Sequence, residues 1–301
     1  MRNGILLVDK EVGLTSHDVV VQARKIFRQK KIGHCGTLDP DATGLLALTV
    51  GKATRLTRFF IKAPKVYRGI VRFGIATDTY DAAGEVVDEA PTDHITMERI
   101  EQAMKELEGT YLQTPPPYCA KKIDGVKYYE LARQGKEVPL EPKEVTVYSF
   151  EPEGELEDDR IEFSVSCASG TYARSLAFDL GRKVGSVAHL HSLRRLEIGH
   201  FSVEQSATLA EIREAVEAGE DPPGWIPFDE VPLPFGEAIT DPQQEKRLVH
   251  GQTALLRNLE GDEGDWIKLV NQRREFIAVG TVVERIGTGG SGVVQPRIVF
   301  R

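Results

Sequence analysis

Cysteine is scarce in this 301-residue chain: Cys35, Cys119 and Cys167 are widely spaced, odd in number and never form a C-x-x-C pair. That excludes a disulfide framework and points to free thiols in a reducing compartment. Long apolar runs are missing too. The early run from Ile5 to Val8 is too short for a signal segment, and no run approaches the roughly 20 residues of a membrane helix. The expectation is a cytoplasmic protein without a membrane partner. There is no G-x-S-x-G nucleophile motif and no Cys-His pairing, and His189 and His191 have no carboxylate or cysteine at metal-ligand spacing. GTGGSG (287–292) spells a dinucleotide fingerprint, but the nine residues after it read as a strand, with no helix N-terminus to receive a pyrophosphate. No metal and no cofactor are expected.

Positive charge is in deficit overall, at net −8, yet it is unevenly spread. Residues 1–72 hold 14 Lys+Arg against 5 acids, so this stretch carries +9 and the remainder −17. Local field matters more to a phosphate than net charge, so the asymmetry permits RNA binding without requiring it.

Hydrophobic content of 41% with 28% charge is that of a globular chain. Its periodicity predicts a buried strand at 5–8, a helix at about 17–28 capped by Thr15 or Ser16, and a buried stretch at 45–50. A basic amphipathic helix near 52–62, a strand at 66–75, an acidic turn region at 79–89 and a capped helix at 96–107 come next. Further on come a short helix at 127–134, strands at 144–151 and 160–167 across the acidic turn EGELEDD, and a helix at about 171–184. A strand or strand pair at 188–204 and a helix at 208–218 complete this part. Hairpin spacings outnumber βαβ units, so the fold class is α+β around a mixed, largely antiparallel sheet. The proline-rich stretch 221–236 reads as a linker or boundary, dividing a main domain, 1–235, from a small β-rich domain, 236–301.

The densest chemistry lies in GHCGTLDPDATGLL (33–46). Its glycines allow sharp backbone and Asp39-Pro40 fixes a turn, presenting His34 and Asp39 from a loop before a buried strand. On composition alone, Asp39 reads first as a turn-forming or capping carboxylate and His34 as a solvated loop histidine. The loop as a whole resembles the G-H-x-G-T-L-D-P-x-A-T-G-x-L segment of the tRNA pseudouridine synthase B (TruB) family. DKEVGLTSHDVV (9–20), KVYRGIVRFGIATDTYDAAGE (65–85), QTPPPYCAKKIDGVKYYELARQG (113–135), SCASGTYARSLAFDLG (166–181) and HLHSLRRLEIGHF (189–201) resemble further segments of that family, in its order. Glu11, Cys119 and Glu141 depart from its commoner residues.

The resemblance implies a pseudouridine synthase fold with an RNA-gripping insertion at about 113–135 and a PUA-like RNA-binding domain at 236–301. It implies an isomerase turning uridine to pseudouridine at position 55 in the T loop of tRNA, by base flipping. Asp39 would be the catalytic nucleophile; whether it attacks C1′, adds to C6 or removes a ribose proton stays open. Arg174 would be its ion-pair partner, keeping a pocketed carboxylate ionised. Tyr67 would stack on the flipped uracil and help move the C5 proton, with Tyr172 and Leu193 forming further walls. His34 would fill the space that the flipped base leaves. Lys10, Lys65, Lys122 and Arg133 would contact RNA. The partner would be the tRNA T-stem loop, bound by a monomer without guide RNA, and assistance to tRNA folding would accompany turnover.

Overall fold

A computed structural model describes residues 1–117, 122–123, 126–127, 141–287 and 290–300. In chain order its elements begin with β1 (Gly4–Lys10), α1 (Ser16–Ile26), β2 (Ile32–His34), β3 (Thr43–Val50), α2 (Thr57–Ile61) and β4 (Lys65–Phe73). Then come β5 (Ile75–Thr77), β6 (Val86–Glu89), α3 (Met97–Glu106), β7 (Gly109–Gln113), and the short pair β8 (Lys122–Ile123) and β9 (Val126–Lys127). After these lie β10 (Lys143–Glu157), β11 (Arg160–Cys167), α4 (Ala173–Lys183), β12 (Ala188–Ile198), β13 (Phe201–Ser202), α5 (Leu209–Glu217) and β14 (Trp225–Pro227). The last part holds β15 (Glu237–Ile239), α6 (Pro242–Val249), β16 (Ala254–Leu256), β17 (Trp266–Val270), β18 (Phe276–Ile286) and β19 (Ser291–Val299).

The large sheet runs β14-β1-β3-β12-β4-β11-β10-β7, with β2 on β3 and β13 on β12. Only β3 and β12 run parallel; the other pairs in this sheet are antiparallel. The α+β class and the mixed, largely antiparallel sheet are therefore as the sequence predicts. β1 is buried along nearly its whole length because it is sandwiched between β3 and β14 and covered on both faces. Helices α3 and α4 cover one region of the sheet, contributing Ile100, Met104, Leu176 and Leu180 to its core. Helices α1 and α5 cover another, with Val19, Val20 and Ile212 packed against Leu6, Val8 and Leu46. Both start at capping boxes, Thr15 with Asp18 and Thr208 with Glu211, which satisfy the orphan amides of a first turn.

Three expectations need correction. The basic helix at 52–62 is broken into a 3₁₀ turn, Gly51–Arg55, and the short α2. The hydroxyls of Thr54 and Thr57 donate back to the carbonyls of Gly51 and Thr54, competing with a regular α ladder. The acidic turn at 153–159 is mostly strand: β10 runs to Glu157, and only Asp158 and Asp159 turn, both at positive φ (48° and 60°). Aspartate tolerates that region, and two such residues match the twist of a tight hairpin. The stretch 221–236 is not a free linker, since β14 joins the large sheet and Phe228, Val231 and Leu233 are buried in a shared core. The helix expected at 127–134 starts on a residue of β9, Lys127, and the rest of it lies outside the described residues.

The C-terminal sheet runs β15-β17-β18-β19-β16 and has its own core around Leu248, Ile267, Leu269 and Ala278. It is fastened to the large sheet through Phe276, Val279 and Phe300, which pack with Ile5, Leu45 and Phe60. GTGGSG sits in the β18–β19 hairpin, of which residues 288 and 289 are not described. Cys35 and Cys167 are free and buried, and burial pushes their thiols up to about 12 and 11. No described helix is long and apolar enough to cross a membrane.

Candidate active site

The loop between β2 and β3 is held from three sides. Ser16, at the start of α1, donates its hydroxyl to the Leu38 carbonyl (3.1 Å) and accepts from the Leu38 amide (2.8 Å). The Lys10 ammonium donates to the carbonyls of Glu11, Leu14 and Pro40 at 3.0, 2.7 and 3.0 Å. Arg195, 1% exposed on β12, donates to the carbonyls of Leu45 (2.7 Å), Thr37 (3.3 Å) and Gly36 (3.2 Å). That contact depends on Gly44, at φ +97°, where an added Cβ would stand 2.3 Å from the Arg195 carbonyl oxygen. The large sheet thus grips both ends of the segment that carries Asp39.

Arg174 enters from α4. It is 8% exposed, and its Nε lies 3.1 Å from Asp39 Oδ2 while Nη1 lies 3.3 Å from Asp81 Oδ2 and donates to the Thr79 carbonyl at 3.2 Å. One guanidinium therefore joins two carboxylates from separate loops. The Asp39 side chain is 48% exposed at the mouth of a recess, yet surrounding protein still weakens its hydration. Burial raises its pKa more than Arg174 lowers it; Asp81 and Asp41 raise it further and Lys10 opposes them. Arg174 moderates the rise and does not cancel it.

Two hollows meet at this ion pair. One, of about 430 Å³, is lined by Asp39, Lys65, Tyr67, Tyr172, Arg174, Leu193 and Arg195 among others. The other, of about 350 Å³, shares Asp39, Arg174 and Leu193 and adds Asp41, Asp81 and His191. Tyr67 stands on β4 opposite Arg195; burial raises the phenol pKa, and the neighbouring Arg195 charge only partly offsets it. Gln113 fixes the backbone of Tyr172 with both ends of its amide, accepting from the Tyr172 amide (2.8 Å) and donating to its carbonyl (3.2 Å).

Asp39, Tyr67, Tyr172, Arg174 and Leu193, far apart in sequence, therefore converge on one cavity. His34 does not line it. It ends β2, its Nδ1 accepts from the Gly36 amide at 3.3 Å, and burial lowers its pKa. Lys10 and Lys65, expected to contact RNA, turn their ammonium groups inward. They are 1% and 6% exposed, and the Lys65 ammonium donates to the Ile61 and Ala63 carbonyls at 2.5 and 2.6 Å. This is the geometry of internal braces. The Lys122 side chain and Arg133 lie outside the described residues. Asp81 and Arg195 lie in the T-x-T-x-D and L-R-R runs with no local signal of a site role, and Ser16 reads only as a helix cap. Gln113 likewise opens the segment 113–135 with nothing local to mark its role.

Comparison with known proteins agrees with this architecture. The model of the TruB family pseudouridylate synthase N-terminal domain matches residues 24–173, and that of the tRNA pseudouridylate synthase B C-terminal domain matches residues 174–238. A tRNA pseudouridine synthase B from Aquifex aeolicus is 40% identical over 297 residues, covering 98% of both chains. Its counterpart from Solibacter usitatus is 38% identical over 282 residues, covering 93% of this chain and 96% of the other. Among solved structures, a chain of a Cbf5-Nop10-Gar1 complex superposes with a TM-score of 0.73 at 25% identity, covering 99% of this chain and 85% of that one. The fold is that of the pseudouridine synthases, and the chain is an isomerase that belongs to the TruB family.

Proposed function

We propose that this protein converts uridine to pseudouridine at position 55 in the T loop of tRNA, with Asp39 as the catalytic nucleophile and no guide RNA. The observation that carries this reading is the Asp39–Arg174 pair, at 3.1 Å, on the wall shared by Tyr67, Tyr172 and Leu193. The cavity, at about 430 Å³, falls in the roughly 300–1,000 Å³ range of small-ligand sites. A base stacked inside RNA cannot enter it, so the nucleotide flips out of its stack. The C1′–N1 bond breaks with its electron pair leaving on N1, the base turns, C5 bonds to C1′, and N1 gains a proton as C5 loses its own. Asp39 meets the ribose or base as the anionic partner, Tyr67 stacks on the uracil, and Leu193 closes the apolar side. His34, outside the cavity on the strand leading to the loop, occupies the stack that the flipped base vacates.

The catalytic part is residues 1–235, and residues 236–301 form the RNA-binding part. Unguided action is supported by relatives named tRNA pseudouridine synthase B at 38% and 40% identity over nearly the whole chain, against 25% for the Cbf5 complex. Assistance to tRNA folding accompanies the reaction, since opening the T loop to flip its base also loosens misfolded tRNA. The test is to incubate an unmodified tRNA transcript with the protein alone and map pseudouridine by carbodiimide labelling and primer extension. A single new stop at position 55 is expected. Modification only elsewhere, or only after another RNA is added, would overturn the assignment.

A further inference from the structure

Arg174 is held by a loop as well as by its own helix. The loop between β5 and β6 brings Asp81 to Arg174, and both of the Asp81 oxygens are committed. Oδ2 faces Arg174 at 3.3 Å, while Oδ1 accepts from the Thr79 hydroxyl (2.6 Å) and the Ala83 amide (3.1 Å). What fixes this loop on α4 is the neighbouring residue. Tyr80 stacks on Phe178 with ring centroids 4.1 Å apart and planes at 13°. Arg174 and Phe178 lie one turn apart on α4, so they share a face. Consecutive loop residues thus dock on consecutive turns of one helix, Tyr80 by its ring and Asp81 by its charge.

Tyr80 holds this place against its backbone preference. Its φ is +64°, a conformation that disfavours an aromatic residue by about 1 kcal/mol or more. Such a conformation persists only where surrounding contacts over-determine it. Here they are the Phe178 stack, the Leu190 amide donating to the Tyr80 carbonyl (3.0 Å), and the Ala82 amide donating to the Leu190 carbonyl (3.0 Å).

We infer that Tyr80 is a positioning residue for the isomerisation, its stack on Phe178 setting the reach of Asp81 and hence the angle at which Arg174 presents itself to Asp39. The inference rests on the proposed isomerase reading and adds to it Tyr80 and Phe178, which line neither hollow beside Asp39. Small misplacements of a catalytic group cost up to roughly a hundredfold in rate, so the effect belongs on kcat.

The experiment measures kcat and KM for tritium release from a C5-labelled tRNA transcript, with folding checked by thermal melting. Tyr80→Phe keeps the ring and is expected within about twofold of wild type, whereas Tyr80→Ala and Tyr80→Gly lose roughly tenfold or more in kcat with little change in KM. Glycine relieves the positive φ, so its failure to restore turnover separates stacking from backbone strain. Phe178→Leu, which removes the stack from the helix side, is expected to behave like Tyr80→Ala and serves if that variant does not fold. In Asp81→Asn, adding Tyr80→Ala is expected to cost nothing further, because both act through one contact. Wild-type kcat in a folded Tyr80→Ala, a loss confined to KM, or multiplying losses in the double variant would each overturn the inference. Absence of release by wild type would instead overturn the isomerase reading on which it rests.

Discussion

The middle of the large sheet and the C-terminal sheet treat buried charge differently. Around the β2–β3 loop the large sheet and α4 bury Lys10, Lys65, Arg174 and Arg195, each 8% exposed or less. The C-terminal sheet buries Lys268, 7% exposed, and places it at the seam between the two sheets. There its ammonium donates to the Asp229 carbonyl (2.9 Å) and lies 3.2 Å from Glu237. Burying a cation is costly unless its donors are satisfied. Among the described residues, one sheet meets that cost repeatedly around a single loop, while the other meets it once, as a fastener. The concentration of buried charge marks where the protein needs an electrostatic field that is fixed before substrate arrives.

The largest expected effect is at Asp39. Asparagine keeps the shape and removes the charge, so turnover falls by at least about a thousandfold while tRNA affinity in filter binding stays near wild type. Arg174→Gln comes next, with a loss on the order of a hundredfold in kcat, the scale for removing a preorganised charge partner. Its pH profile sharpens the comparison. Arg174 lowers the Asp39 pKa and Asp81 raises it, and the net rise places the acid limb of kcat/KM above the ordinary aspartate value of 3.8. Deleting the cation moves that limb to higher pH, whereas Asp81→Asn moves it to lower pH. Opposite or absent movements would show that the field at Asp39 is set elsewhere.

Tyr67→Phe separates ring from hydroxyl. The ring still stacks, so KM is kept, and kcat falls by roughly ten- to a hundredfold if the hydroxyl takes part in proton movement. The smallest effect on chemistry is expected at the seam. Trp266 packs edge-on against Phe59 at 5.1 Å and lies under Arg58 at 4.6 Å. Trp266→Ala is expected to destabilise the protein by about 2 kcal/mol or more in chemical denaturation and to weaken tRNA binding, with kcat at saturating tRNA little changed. A large fall in kcat would erase the distinction between the two regions.

Local signals make much of this legible from sequence. Thr15 and Thr96 announce their helices because capping is a short-range interaction, and the helices begin where those residues predict. Asp39, Tyr67, Tyr172, Arg174 and Leu193 are drawn together in the sequence only through resemblance to a family, since nothing local says that β3, β4, β12 and α4 converge. The misjudged positions share a physical cause. Lys10 and Lys65 read as surface cations because lysine is seldom fully buried, yet here carbonyl oxygens replace their water. Arg195 and Gln113 are invisible for the same reason: their work is to bond backbone groups remote in sequence, a property of the assembled sheet.

The central claim, that the charge held at the middle of the large sheet serves one carboxylate, is tested most directly by tritium release from C5-labelled uridine in an unmodified tRNA transcript. Wild type and Asp39→Asn would be compared with no other RNA or protein present. Stoichiometric release by wild type, with release by Asp39→Asn at background despite intact tRNA binding, is the predicted result. Equal release by the two proteins would contradict it.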